Sequence, residues 1–304
     1  MDLFQAPEID AVEGLSGATQ AVAGEGWGCA LASGGLWCWG YGYLGDGAYH
    51  GDFSGPVQVI GGAGATSISA GDDMTCMTKD DGTAWCWGEI GRGKLGDLNL
   101  DDLPYEPLQV PGIGNAAKVV AGSSGGCALL TDGTVSCWGD ERKVACGVDT
   151  CAPAVKDGIT GAIDVVIGRY GPCALLESGE VSCWGHNSNP AISTGQAVLG
   201  AEELTNAATL VSTALLASMA CASDASASVI CWVVEQTGSD FSSEIKSQGP
   251  QASLAGASSV ALTSRNTCAV LDGSIQCSEW EDDAYHSGEA LPNIFPSPES
   301  VYQP

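Results

Sequence analysis

Fourteen cysteines offer the most chemistry in this 304-residue chain. They fall in close pairs, at 29/38, 76/86, 127/137, 146/151, 173/183, 221/231 and 268/277. Thiols so spaced either oxidise to disulfides or ligate a metal or haem. Ligation is disfavoured, because the chain has no Cys-x-x-Cys or Cys-x-x-Cys-His run and only three histidines, His50, His186 and His286, which fall in loops without evident partners. Seven bridges, Cys29–Cys38, Cys76–Cys86, Cys127–Cys137, Cys146–Cys151, Cys173–Cys183, Cys221–Cys231 and Cys268–Cys277, would use every thiol. They place the chain in an oxidising compartment: extracellular, at a cell surface or periplasmic.

Other reactive patterns occur in the text of the sequence. Gly122-Ser-Ser124-Gly-Gly126 matches a nucleophile elbow, and Gly40-Tyr-Gly-Tyr-Leu-Gly45 matches a dinucleotide fingerprint. Both need a strand running into a helix, whereas each lies between strands in a Gly-rich stretch. No catalytic residue is assigned, and the chain is read as a non-enzyme. The acidic pairs Asp72-Asp73, Asp80-Asp81, Asp101-Asp102 and Asp282-Asp283 carry the oxygen ligands that Ca²⁺ prefers, but none has a calcium-loop spacing. Solvated turns are the favoured reading, with no metal or other cofactor expected.

The elements that position the cysteines repeat. With 146/151 set aside, the first members of successive pairs lie 47, 51, 46, 48 and 47 residues apart. The surroundings repeat too: Cys29-Ala-Leu with Cys38-Trp-Gly, Cys76-Met-Thr with Cys86-Trp-Gly, Cys127-Ala-Leu with Cys137-Trp-Gly, and Cys173-Ala-Leu with Cys183-Trp-Gly. Cys231-Trp-Val and Cys277-Ser-Glu are worn copies, and Gly24, Gly71, Gly122 and Gly168 each stand five residues before a first cysteine. A two-residue Asp272-Gly273 hairpin pairs 271 with 274, and so Cys268 with Cys277. A separation of 10, as around Asp132-Gly133, fits a three-residue loop with a glycine bulge and again makes the cysteines face each other. Cys146–Cys151 would staple the loop after the third Cys-Trp-Gly.

A further strand is expected in Pro56-Val-Gln-Val, Pro107-Leu-Gln-Val and Pro153-Ala-Val, since proline suits a strand start or an outer edge. Four strands in each ~47-residue unit describe a propeller blade. The fold class expected is therefore all-β: a single β-propeller of four-stranded blades over 1–304, with one cross-strand disulfide per blade. The units run approximately 7–55, 56–106, 107–152, 153–200, 201–249 and 250–295, with 296–304 as a tail or closure segment. Six blades are favoured over seven. The Cys-Trp-Gly tryptophans Trp39, Trp87, Trp138, Trp184 and Trp232 point away from their disulfides and are read as packing between blades.

Gly-x-x-x-x-Cys-Ala-Leu, Asp-Gly-x-Val-x-Cys-Trp-Gly and the Leu44-Gly-Asp-Gly47 that follows resemble repeats of the regulator of chromosome condensation family, in the cysteine-paired form of exported bacterial proteins. The resemblance covers roughly residues 7–295 and implies the propeller fold. It implies no single function, since the family includes a nucleotide exchange factor, a plant photoreceptor and a secreted enzyme inhibitor.

Composition limits the partners. The 10 Lys+Arg against 37 Asp+Glu leave a net charge of −27, unsuited to nucleic acid or to an anionic membrane surface. No apolar run of 18 residues occurs, so no membrane insertion is expected, and no signal sequence stands at residues 1–7.

If strands alternate up and down, the turns after each first strand share a face with the long loops after each third strand. That face is the variable one, and its aromatic and Arg residues are the expected contacts: Trp27, Tyr41, Tyr43, Arg169, Tyr170 and Tyr285. The function expected is a secreted or cell-surface binding propeller that holds a protein or cell-surface ligand there. A structural subunit that self-assembles into an extracellular filament is the alternative, and a propeller-hosted hydrolase or lyase ranks third.

Overall fold

The structure is a computed structural model that describes the backbone of 12–279, apart from 25, 92, 98–104, 124, 141–149, 169–170, 185–196, 200–206, 213–218, 225–228, 238–241, 251–258, 263–265 and 272–273. Side chains are described within 12–184, less the same gaps and 150–151. Every regular element described is a strand. They form six antiparallel sheets, each in sequence order from its first strand to its last.

The first sheet holds β1 (Gln20–Ala23), β2 (Trp27–Ala32), β3 (Gly35–Tyr43) and β4 (Tyr49–Gln58). The second holds β5 (Ala65–Ala70), β6 (Met74–Lys79), β7 (Ala84–Gly88) and β8 (Leu108–Gln109). The third holds β9 (Ala116–Ala121), β10 (Gly125–Leu130), β11 (Val135–Asp140) and β12 (Thr150–Val155). In the fourth are β13 (Ala162–Gly168), β14 (Gly171–Leu176), β15 (Val181–Cys183) and β16 (Ala197–Leu199). The fifth comprises β17 (Ala207–Ser212), β18 (Met219–Asp224), β19 (Val229–Thr237) and β20 (Ser242–Pro250). The sixth shows three strands, β21 (Ser259–Leu262), β22 (Asn266–Leu271) and β23 (Ser274–Glu279). The Pro-led outer strands are present as the end of β4, as β8 and within β12.

Loop length sets the register within each hairpin. In the first sheet Ser33 (φ 51°) and Gly34 (φ 75°) form a two-residue turn whose paired positive φ values suit a hairpin. In the second, third and fourth sheets the loop is one residue longer and places glycine at its last position, as with Gly82 donating back to Lys79 and Gly133 to Leu130. Either loop opposes the cysteines: Cys29 pairs with Cys38, Cys76 with Cys86, Cys127 with Cys137 and Cys173 with Cys183. All four pairs are disulfides, with Cα atoms 4.0 to 4.1 Å apart. Cys221 likewise opposes Cys231, and Cys268 opposes Cys277, in backbone register. The sulfurs of those two pairs, and the 146/151 pair, lie outside the described residues.

First strands of successive sheets neighbour one another around the hub. Polar bonds tie them. The Gln20 side chain exchanges two hydrogen bonds with the Ile68 backbone, at 2.8 and 3.0 Å. Ser69 Oγ accepts from the Ala121 amide at 2.9 Å, and Lys118 Nζ meets Asp164 Oδ1 at 2.6 Å. Between the sheets, three of the disulfide faces bury against the next sheet's tryptophan face. Cys29 and Cys38 cluster with Trp87, Cys76 and Cys86 with Trp138, and Cys127 and Cys137 with Trp184. All three indoles are fully buried.

Candidate functional site

The first sheet departs from its neighbours in the reach of its outer hairpin. β3 is 9 residues long and β4 is 10, against 5 and 2 for β7 and β8. Tyr41 and Tyr43, expected on the loop face, therefore stand on a strand that runs to Tyr43. Register shifts at Gly40 and Gly42 allow the extension, because a bulge lets a strand bend and go on pairing. The ribbon leaves the sheet still hydrogen-bonded, which holds its side chains in place.

Aromatic rings line this ribbon. Tyr43 opposes Tyr49 in register, with ring centroids 5.2 Å apart, and Tyr41 meets Phe53 edge-on at 5.7 Å. Tyr105 stacks on Tyr43 at 5.9 Å, and its carbonyl accepts from the Gly47 amide at 3.1 Å, tying the loop of the second sheet to the turn of the first. Tyr41, Tyr49, Phe53 and Tyr105 are 47%, 59%, 63% and 38% exposed. Exposed aromatics grouped like this mark contact surfaces more than chance surface residues do.

Trp27 opens β2 opposite Gly40 and is partly buried. With Trp39 and Phe53 it lines an open groove of about 520 Å³ beside the ribbon, floored by Ala21, Val22 and glycines. Trp39 occupies the place that Trp87 and Trp138 hold in the next two sheets, yet it is only half-buried. In those sheets the preceding sheet's Leu-Gly-Asp loop covers the indole: Gly45 lies on Trp87, and Gly96 on Trp138.

Two carboxylates adjoin the rings in sequence. Asp52 and Glu106 are exposed beside Phe53 and Tyr105. Burial, then the neighbouring Tyr49 and Tyr105 and the acidic Glu89 and Asp73, push the Tyr43 hydroxyl above its ordinary pKa, so it stays neutral. Lys94 donates to Glu89 at 2.7 Å and stands 3.5 Å from Asp73, and its hydrogen bond holds Glu89 below the usual carboxylate range. His50 is in β4, not a loop, and it has a partner, with Nε2 3.0 Å from Asp46.

Of the six expected contact residues, Trp27, Tyr41 and Tyr43 are brought to one end of the first sheet. Arg169, Tyr170 and Tyr285 lie outside the described residues. Sequence reasoning missed Tyr49, Phe53 and Tyr105. The period-two spacing of Tyr41 with Tyr43, facing Tyr49 and Phe53 across a short turn, was the available signal for two of them. The two motif matches are turns and strand ends. Gly122–Gly126 links antiparallel β9 to β10, with the Gly122 amide donating to the Gly125 carbonyl, and Gly40–Gly45 spans the end of β3; neither enters a helix.

Residues 65–92 and 116–147 match the family model of the regulator of chromosome condensation (RCC1) repeat. Human E3 ubiquitin-protein ligase HERC2 is 32% identical over 155 residues, which cover 46% of this chain and 3% of that protein. Yeast RCC1 (Prp20), solved bound to Kap60, superimposes with a TM-score of 0.69 at 16% identity, over 86% of this chain and 70% of that one. The ectodomain of the Arabidopsis thaliana receptor kinase ACR4 superimposes with a TM-score of 0.53 at 21% identity, over 86% and 79%. These two likenesses establish the fold.

Proposed function

We propose that the chain, a β-propeller whose residues 65–92 and 116–147 match the RCC1 repeat, is a binding propeller, secreted or displayed at a cell surface, that holds a protein or cell-surface ligand. The observation that carries this is the aromatic ribbon on a disulfide-braced sheet, with Tyr41, Tyr49 and Phe53 exposed and Tyr43 half-buried among them. Rigid rings presented on a fixed backbone lose little freedom on binding. Four cross-strand disulfides support an oxidising location, and the likeness in fold to a receptor ectodomain accords with it.

In this proposal 1–304 forms a single propeller domain. Trp27, Tyr41 and Tyr43 are contact residues, joined by Arg169, Tyr170 and Tyr285 on the same variable face. No reaction is assigned to the chain.

Capture from the native source on the immobilised oxidised protein tests the proposal. A saturable macromolecular partner is the expected result. Ordered filaments of the protein alone, seen by electron microscopy with no partner retained, would replace it with a structural role.

A further inference from the structure

We propose that the aromatic ribbon of the first blade receives a Lys/Arg-bearing polypeptide segment. This rests on the binding role above and adds the chemistry of the partner. Three features, the rings, the charges and the shape, converge on such a segment.

The rings come first. Tyr41, Tyr49, Phe53 and Tyr105 are exposed, Tyr41 and Phe53 held against each other and Tyr49 and Tyr105 each held against Tyr43, so a cation meets a preformed π surface. The chain makes this contact internally as well, with Lys79 Nζ 4.7 Å from the Trp85 ring centroid.

The charges agree. Asp52 and Glu106 are exposed and adjoin Phe53 and Tyr105 in sequence, whereas the described cations nearby are already held, Lys94 by Glu89 and Asp73 and His50 by Asp46. Among the described residues, a partner's Lys or Arg therefore meets these carboxylates without a competing basic group. At net −27 the whole molecule attracts a basic partner and repels an acidic one.

The shape points to a polypeptide rather than a small cation. The surface is an open ridge with a groove beside it, not an enclosed cage. The groove wall of Trp27, Trp39 and Phe53 suits the aliphatic stems of Lys and Arg, whose heads would then reach Asp52 and the ring faces.

The test is fluorescence anisotropy of short labelled Arg-Gly, Lys-Gly and Glu-Gly peptides against the oxidised full chain across a salt series. The Arg-Gly and Lys-Gly peptides are expected to bind, more weakly as salt rises, and the Glu-Gly peptide not to bind. Y49A/F53A leaves the net charge unchanged and is expected to weaken binding tenfold or more. D52N/E106Q is expected to weaken it and to flatten the salt dependence. Both pairs are exposed, so an unchanged thermal midpoint verifies that each variant folds.

Binding that is equal in wild type and Y49A/F53A would reduce the effect to the general field of an acidic protein and overturn the proposal, as would no binding of either cationic peptide. A native partner whose capture survives Y49A/F53A would overturn this site while leaving the binding role standing. Failure of the wild type to capture any partner would count against the binding role itself.

Discussion

The indole Nε1 of Trp138 donates to the backbone carbonyl of Lys94 at 2.9 Å, across the junction between the third sheet and the second. Lys94 belongs to the loop that follows the second Cys-Trp-Gly, and Trp138 to the third such triplet. One repeat thus supplies the lid for the next repeat's tryptophan, with Gly96 of the same loop against the ring. The first sheet's Trp39 is half-buried and lines a groove.

That contrast predicts unequal costs for one substitution at equivalent places. Trp138→Ala empties a fully buried site and strands the Lys94 carbonyl, and should cost about 3–5 kcal/mol. Trp39→Ala removes a ring that already meets solvent on one side, and should cost less than half as much. Denaturant unfolding of the two variants checks this, and equal losses would mean that Trp39 is as well covered as Trp138.

The same contrast marks what the sequence could say. Opposed cysteines and buried tryptophans were legible because each depends on spacing within one hairpin, where loop length determines register. The strand reach of Tyr41 to Phe53 was only partly legible, through the period-two spacing of its tyrosines. It depends on bulges at Gly40 and Gly42, and a glycine before a turn reads equally as a loop. The place of Tyr105 was invisible for a different reason. A hydrogen bond to Gly47, 58 positions earlier, brings it onto Tyr43, and no local pattern encodes a contact between two sheets.

The glycine found five residues before the first cysteine in four of the units has a testable cause in the second sheet. A methyl group on Gly71 would run into the backbone carbonyl of Gly122, its counterpart in the third sheet, so the two sheets converge there without room for a side chain. Gly71→Ala should cost about 3 kcal/mol, at the upper end for overpacking, because backbone rather than a flexible side chain must yield. Gly114 is exposed, with nothing within 4 Å of such a methyl, so Gly114→Ala should be neutral or stabilise by about 0.4–1 kcal/mol. Thermal denaturation of both variants decides the matter; a harmless Gly71→Ala would remove the close approach as the reason for this glycine.

Each cross-strand disulfide closes a short loop and so restrains the unfolded chain modestly. Replacing Cys76 and Cys86 together by Ala should cost about 2–4 kcal/mol and lower the unfolding midpoint by roughly 5–10 °C. Alkylation under denaturing conditions without reductant should leave all eight cysteines of the four described bridges unlabelled. Labelling of any of the eight, located by peptide mass, would contradict the pairing.

The Asp-Gly corners predict a response to acid. The Thr134 hydroxyl and amide both donate to Asp132 Oδ1, at 2.6 and 3.0 Å, and hold its carboxyl below the ordinary carboxylate pKa; Thr83 does the same for Asp81. A carboxylate whose pKa is lower folded than unfolded stabilises the fold above the unfolded value. That contribution fades as pH falls through the folded one. Both corners should therefore favour the folded state through neutral pH and lose their effect only in acid, below the usual carboxylate range near ~3.9. Thr134→Ala removes the stronger donor, so the Asp132 pKa should rise toward that range while Asp81 stays put. Carboxyl-carbon NMR titration of wild type and variant reads both groups in one experiment. An Asp132 pKa that does not rise in the variant would show that the threonine hydroxyl does not hold the turn's charge.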